Sequence, residues 1–176
     1  MNEIRLNPEA RTRRAVVTGI AASLGALVAR PAAAQGPMQE KPASAAHATL
    51  TAIHYEIDFK AAPQRIYTIL LDPKQFAAFT GMAAEIDSRA GGAFTLFGGL
   101  VSGRNIELVE NQRIVQAWRP SSWAAGIYSI VHFELKAQGT DTLLVFDHTG
   151  FPAGLYDHLD AGWQGHYWEP LRKYLA

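Results

Sequence analysis

From Thr49 the chain alternates in steps of two: Leu50, Ala52, His54, Glu56 and Asp58 are interleaved with Thr51, Ile53, Tyr55, Ile57 and Phe59. That period predicts a β-strand whose buried face carries Ile53, Tyr55, Ile57 and Phe59. Ala62-Pro63 ends it, and Gln64 to Leu71 reads as a short helix. Asp72-Pro73 then opens a second helix, with Asp as N-cap and Pro at the first helical position, carrying Phe76 and Phe79 as far as Thr80-Gly81. Six strand-like runs follow: Glu85 to Arg89, Ala93 to Phe97, Val101 to Val109, Arg113 to Arg119, Tyr128 to Lys136 and Thr142 to His148. The turn signals between them include Gly91-Gly92, Gly98-Gly99, Glu110-Asn111-Gln112 and Gln138-Gly139-Thr140, which predict an antiparallel meander.

The pattern changes again after Gly150-Phe151-Pro152. Tyr156, Leu159, Trp163, Tyr167, Leu171 and Tyr174 recur at three- and four-residue steps, the signature of one helix face. Gly162, Gly165 and Pro170 oppose a helix here, by roughly 1 kcal/mol for each Gly and about 3 kcal/mol for Pro. Propensity alone therefore does not make this helix, and its aromatic face must be packed against something. The order of one strand, two short helices, six strands and one long helix predicts an α+β fold in which a curved antiparallel sheet is covered by the terminal helix.

The first residues read as an address. Arg11 to Arg14 supply a charged region, Ala15 to Ala29 is a short apolar run, and Pro31-Ala32-Ala33-Ala34 ends in a small-x-small pattern. Thr12-Arg13-Arg14 before Val16-Val17 resembles a twin-arginine leader, so residues 1–34 are expected to be a cleaved signal peptide that places the domain in a bacterial periplasm. A membrane anchor would need about 20 apolar residues. Membrane contact is expected only through the leader. Residues 35–48, small, polar and Pro-containing, are expected to form a flexible mature N-terminus, and residues 49–176 the folded domain. The leader also hides an asymmetry behind a formal charge of zero: without its five Arg and two acidic residues, 11 basic and 14 acidic side chains remain, a charge of about −3. No basic footprint for nucleic acid is left. The chain has no Cys, which excludes a disulfide framework, a thiol nucleophile and a thiolate metal site.

The ordered set Ala62-Pro63, Asp72-Pro73, Gly91-Gly92-Ala93-Phe94, Gly103 with Glu107, Arg113-Ile114-Val115, Trp118-Arg119, Thr142, Gly162-Trp163 and Trp168-Glu169-Pro170-Leu171 is distinctive. From about Thr49 to Ala176 it resembles the START-like or SRPBCC superfamily, the helix-grip fold of the major birch pollen allergen. Within that superfamily it is similar to the subgroup named for the activator of heat-shock protein 90 ATPase, in its C-terminal-domain form. The resemblance implies a cavity between sheet and terminal helix. Its ligand-binding walls are expected to be strand residues facing the helix, Phe94, Trp118, Val131, Phe133, Phe146 and His148, opposite Trp163 and Tyr167. Each of the aromatic residues is equally needed to fill a core.

His148 is the polar residue of most interest, as a core histidine, a ligand anchor or a proton carrier. Asp147, of opposite parity, is expected to face solvent. His158 and His166, eight residues apart, lie about 12 Å apart along a helix and cannot share one ion. No metal site, cofactor or catalytic set is expected, since the chain has no His-Glu-x-x-His motif, no nucleophile elbow at Ser121-Ser122 and no phosphate loop at its Gly pairs. Trp123 is expected to be either a lid or partner contact or a residue folded back on the sheet. The leading expectation is a non-catalytic periplasmic carrier of a small hydrophobic or amphipathic molecule. The alternatives are a protein-interaction domain of co-chaperone type and, third, an enzyme using His148.

Overall fold

The computed structural model describes residues 50–176. The leader and the flexible N-terminus expected from residues 1–48 lie outside the described residues, as does Thr49. The first element is β1 (Ala52–Phe59), followed by α1 (Pro63–Leu71) and α2 (Pro73–Thr80). The remaining strands are β2 (Glu85–Ile86), β3 (Ala93–Leu96), β4 (Val101–Val109), β5 (Arg113–Pro120), β6 (Ser129–Gln138) and β7 (Asp141–Thr149). A terminal helix closes the chain as α3 (Tyr156–Trp163), a π-helical turn (Gln164–Trp168) and α4 (Glu169–Leu175).

The local chemistry explains the boundaries. Asp72 ends α1 and caps α2, accepting a 2.8 Å hydrogen bond from Gln75 N, while Pro73 occupies the first turn, where it needs no N–H partner. Gly81 closes α2 at φ 71°, a left-handed position that Gly adopts without strain. The strand expected from Glu85 to Arg89 is shorter than its sequence run, because pairing with β3 involves just Glu85 and Ile86.

The seven strands form one antiparallel sheet in the order β1-β7-β6-β5-β4-β3-β2, a meander to which β1 is added beside β7. As expected from the alternation, Ile53, Ile57 and Phe59 are buried, and Tyr55 is partly buried. Cross-strand register carries the inward face over the sheet: Ile53 opposes His148, His148 opposes Val131, Val131 opposes Gln116, and Gln116 opposes Asn105. Gly103, between Phe94 and Trp118 in the next row, is required there. A Cβ at that position would lie 2.0 Å from Ala117 O and 2.3 Å from the Phe94 ring.

The terminal helix lies over this face and differs from a uniform α-helix at the point where the sequence resists one. Pro170 has no N–H and its ring would crowd the carbonyl four residues back. The chain widens just before it, and Glu169 N donates to Gln164 O, five residues back. The face so presented is heavily aromatic. Trp168 and Leu171 are fully buried, Trp168 stacks on Trp163 at 5.6 Å, and Tyr167 packs against Phe76 and Phe79 of α2 at 5.8 and 5.6 Å between ring centres. Burial of this face, at roughly 25 cal/mol per Å², supplies what the two Gly and the Pro withhold.

Candidate ligand cleft

A cleft of about 510 Å³ remains where the terminal helix meets the ends of β4 and β5 and the turn at Phe97–Gly99. Trp118, His148, Trp163 and Tyr167 form its buried wall, and Phe97, Val101 and Leu159 are further apolar lining residues. Exposed residues Met82, Leu100, Ser121, Ser122, His158 and His166 also line it. The wall is a continuous aromatic surface: Trp118 to Trp163 and Trp163 to Tyr167 are each 4.8 Å between ring centres. Gly162 also lines the cleft, and a Cβ there would meet nothing within 4 Å, so the missing side chain leaves open space.

Four of the eight expected walls thus face the cleft: Trp118, His148, Trp163 and Tyr167. The other four are on the anticipated side of the sheet but in the packed core. Phe94 lies against Gly103 and Trp118, Val131 is fully buried, and Phe133 and Phe146 are covered by Trp163 and Trp168. The physical reason is that three large rings, Trp163, Tyr167 and Trp168, fill the middle of the grip, and the cleft lies to one side of them. The residues not anticipated follow from two simple relations. His158, Gly162 and His166 are four apart and form the helical row beside Leu159, Trp163 and Tyr167. Val101 opposes Pro120 across the β4–β5 pair, which brings Leu100 together with Ser121 and Ser122.

The polar atoms of the buried wall are organised by hydrogen bonds. The Trp163 indole N–H, a donor without acceptor capacity, reaches His148 Nδ1 at 2.9 Å, so Nδ1 is the unprotonated nitrogen. Nε2 then carries the proton and donates to Ser129 Oγ at 2.7 Å. Ser129 Oγ donates in turn to Trp118 O at 3.4 Å. A second buried chain starts at the Trp118 indole, which donates to Gln116 Oε1 at 2.8 Å. Gln116 Nε2 donates to Asn105 Oδ1, and Asn105 Nδ2 to Asp87 O, each at 2.8 Å. Burial lowers the His148 pKa from 6.5 to about 4 and keeps the ring neutral. With both nitrogens engaged, His148 offers neither to a ligand nor to a substrate in this arrangement, and of its three expected roles the structure favours the satisfied core histidine.

The remaining candidates separate clearly. Asp147 is partly exposed on the outer face and pairs with His54 at 2.7 Å. Trp123 is half-buried and packed against the core, with its carbonyl held by Arg119 Nη2 at 3.1 Å, so it folds back rather than covering the cleft. Tyr55 donates to Asp160 and ties β1 to α3, and burial raises the phenol's pKa. Among the described residues, no three His, Asp or Glu side chains are grouped to hold a metal ion, and no helix is long and apolar enough to cross a membrane.

A curved antiparallel sheet gripping a C-terminal helix, with an apolar cleft left at one end, defines a helix-grip domain of the SRPBCC class. The chain belongs to the family described as Activator of Hsp90 ATPase homolog 1-like protein, whose profile matches residues 60–176. It is 35% identical over 114 residues to an uncharacterized protein of Schizosaccharomyces pombe, covering 65% of this chain and 34% of that protein. It is 29% identical over 115 residues to the human Activator of 90 kDa heat shock protein ATPase homolog 1, again covering 65% and 34%. The chain therefore spans about a third of the length of these relatives. Among solved structures, an HSP90 activator from Plasmodium falciparum superimposes with a TM-score of 0.67 at 22% identity, covering 69% of this chain and 94% of that one.

Proposed function

We propose that this domain binds a small hydrophobic or amphipathic molecule in the cleft between the sheet and the terminal helix. The observation that carries the reading is the cleft itself: about 510 Å³, walled by Trp118, Trp163 and Tyr167, with no Lys, Arg, Asp or Glu lining it among the described residues. That volume lies within the usual range for small-molecule sites. The mechanism is burial, at roughly 25 cal/mol for each Å² of ligand surface removed from water. The leader expected at residues 1–34 supports a periplasmic setting, in which the domain acts as a carrier. Native mass spectrometry of the exported protein, compared with its denatured mass, tests both parts. A native excess that disappears on denaturation supports the carrier. A chain that is not shortened by residues 1–34 overturns the periplasmic assignment.

A second reading, a protein-interaction domain, is supported by the names of the relatives, which are called activators of a heat shock protein ATPase. Exposed apolar side chains also favour it, with Leu100, Ile106 and Tyr128 each at least half exposed. A heat-shock protein 90 type ATPase is the partner those names suggest. A pull-down with purified ATPase decides it: retention that is lost when Tyr128 and Ile106 are changed to Ser supports this reading, and no retention removes it.

A further inference from the structure

Four buried residues line the cleft, and three of them have their side-chain polar atoms committed. The Trp118 indole donates to Gln116, the Trp163 indole donates to His148, and His148 spends its second nitrogen on Ser129. The fourth is Tyr167, 2% exposed and packed among the rings of Phe76, Phe97, Trp118, Phe133 and Trp163. Its hydroxyl makes no hydrogen bond among the described residues. The side chain lines the cleft, so an unpartnered hydroxyl stands on a wall that a bound molecule would touch.

We infer that the Tyr167 hydroxyl is the polar anchor of the cleft and that it selects apolar molecules carrying a hydrogen-bond-accepting oxygen, such as a ketone, ester or carboxylic acid. The inference rests on the reading of the cleft as a ligand site. A hydroxyl held in an apolar cleft gains more from an acceptor than from none, because the cost of its desolvation is already met by the fold. Burial raises the phenol's pKa, so the group stays a proton donor across the physiological range and repels no carboxylate. Among the described residues, no acidic side chain lines the cleft to hold an ammonium group.

The test uses two probes of equal heavy-atom count and closely similar shape with the full protein, 2-acetylnaphthalene and 2-isopropylnaphthalene, in which a methyl group replaces the carbonyl oxygen. Binding is followed by quenching of Trp fluorescence and confirmed by calorimetry. Tyr167→Phe is expected to weaken the ketone about fivefold and leave the hydrocarbon unchanged. Its melting temperature is expected to stay level or rise, since the lost hydroxyl has no partner among the described residues. Gly162→Leu, which fills the open space on the helix, is expected to abolish binding of both probes. Equal weakening of both probes by Tyr167→Phe, or weakening of neither, overturns the anchor while leaving the cleft a ligand site. No binding of either probe to the unaltered protein, or full binding to Gly162→Leu, removes the cleft reading and the anchor with it.

Discussion

His148 should make the protein acid-sensitive in a defined window. In the unfolded chain its imidazole titrates near 6.5, whereas in the folded protein burial holds it at about 4. Between those values the unfolded state binds a proton that the folded state refuses, so unfolding gains as pH falls. At roughly 1.4 kcal/mol for each tenfold change in proton affinity, the contribution is fully present above about pH 6.5, and its loss approaches roughly 3 kcal/mol near pH 4. Protonation has a structural meaning as well: a proton on Nδ1 displaces the 2.9 Å hydrogen bond from Trp163 and frees an indole on the cleft wall. Urea denaturation at pH 7, 5.5 and 4, for the protein and for His148→Gln, isolates the effect. The surface carboxylates Asp87 and Asp141, held low by Arg89 and Lys60, titrate in both proteins and cancel in the difference. The unaltered protein should lose roughly 3 kcal/mol more than the variant on the way to pH 4. Nitrogen chemical shifts of the ring should report the Nε2–H tautomer down to about pH 5. A midpoint near 6.5 for His148, with parallel stability curves for the two proteins, would refute the burial argument.

Other outcomes follow from the same geometry. Gly162→Ala meets nothing within 4 Å and removes an interior helical Gly, so it should raise stability by about 1 kcal/mol in thermal or urea denaturation. Gln116→Ala leaves the Trp118 indole and the Asn105 carbonyl buried without partners, and should cost roughly 2 kcal/mol by urea denaturation. Gly103→Ala drives a methyl group into Ala117 O and the Phe94 ring, and should cost about 3 kcal/mol, read as lost soluble yield or a lowered melting temperature.

Much of the fold could be read from the chain because backbone punctuation and period two leave strong marks. Asp72-Pro73-Lys74-Gln75 announces its own cap, and the alternation from Ile53 to Phe59 survives intact in the buried face of β1. The terminal helix was equally plain as a face, but its π-helical turn was not, because hydrophobic spacing records which side is buried and not how many residues close each turn. The site was half legible for a related reason. Parity assigns Phe133, Phe146 and Trp118 to one side of the sheet, but whether a side chain borders a cleft or another ring depends on how far Trp163, Tyr167 and Trp168 reach across. Gln116 and Asn105 gave no signal at all. Their types suggest a wetted surface, and they are buried because each satisfies the other, at 4% and 0% exposure.

The strand order has a consequence for how the protein is made. β1 lies at the sheet's edge, with β7 as its neighbour, and the His54–Asp147 pair across that seam joins residues 93 positions apart. A ribosome adding roughly 5 to 20 residues per second leaves β1 without its partner for about 5 to 20 s. For that interval Ile53, Ile57 and Phe59 belong to an open strand edge, the kind of surface to which other nascent chains adhere. The sheet closes last at the seam with its first described strand, so synthesis from that strand gives no head start. A chaperone that shields the newly made N-terminal segment should therefore raise the yield of this domain more than one acting on its completed C-terminal helix.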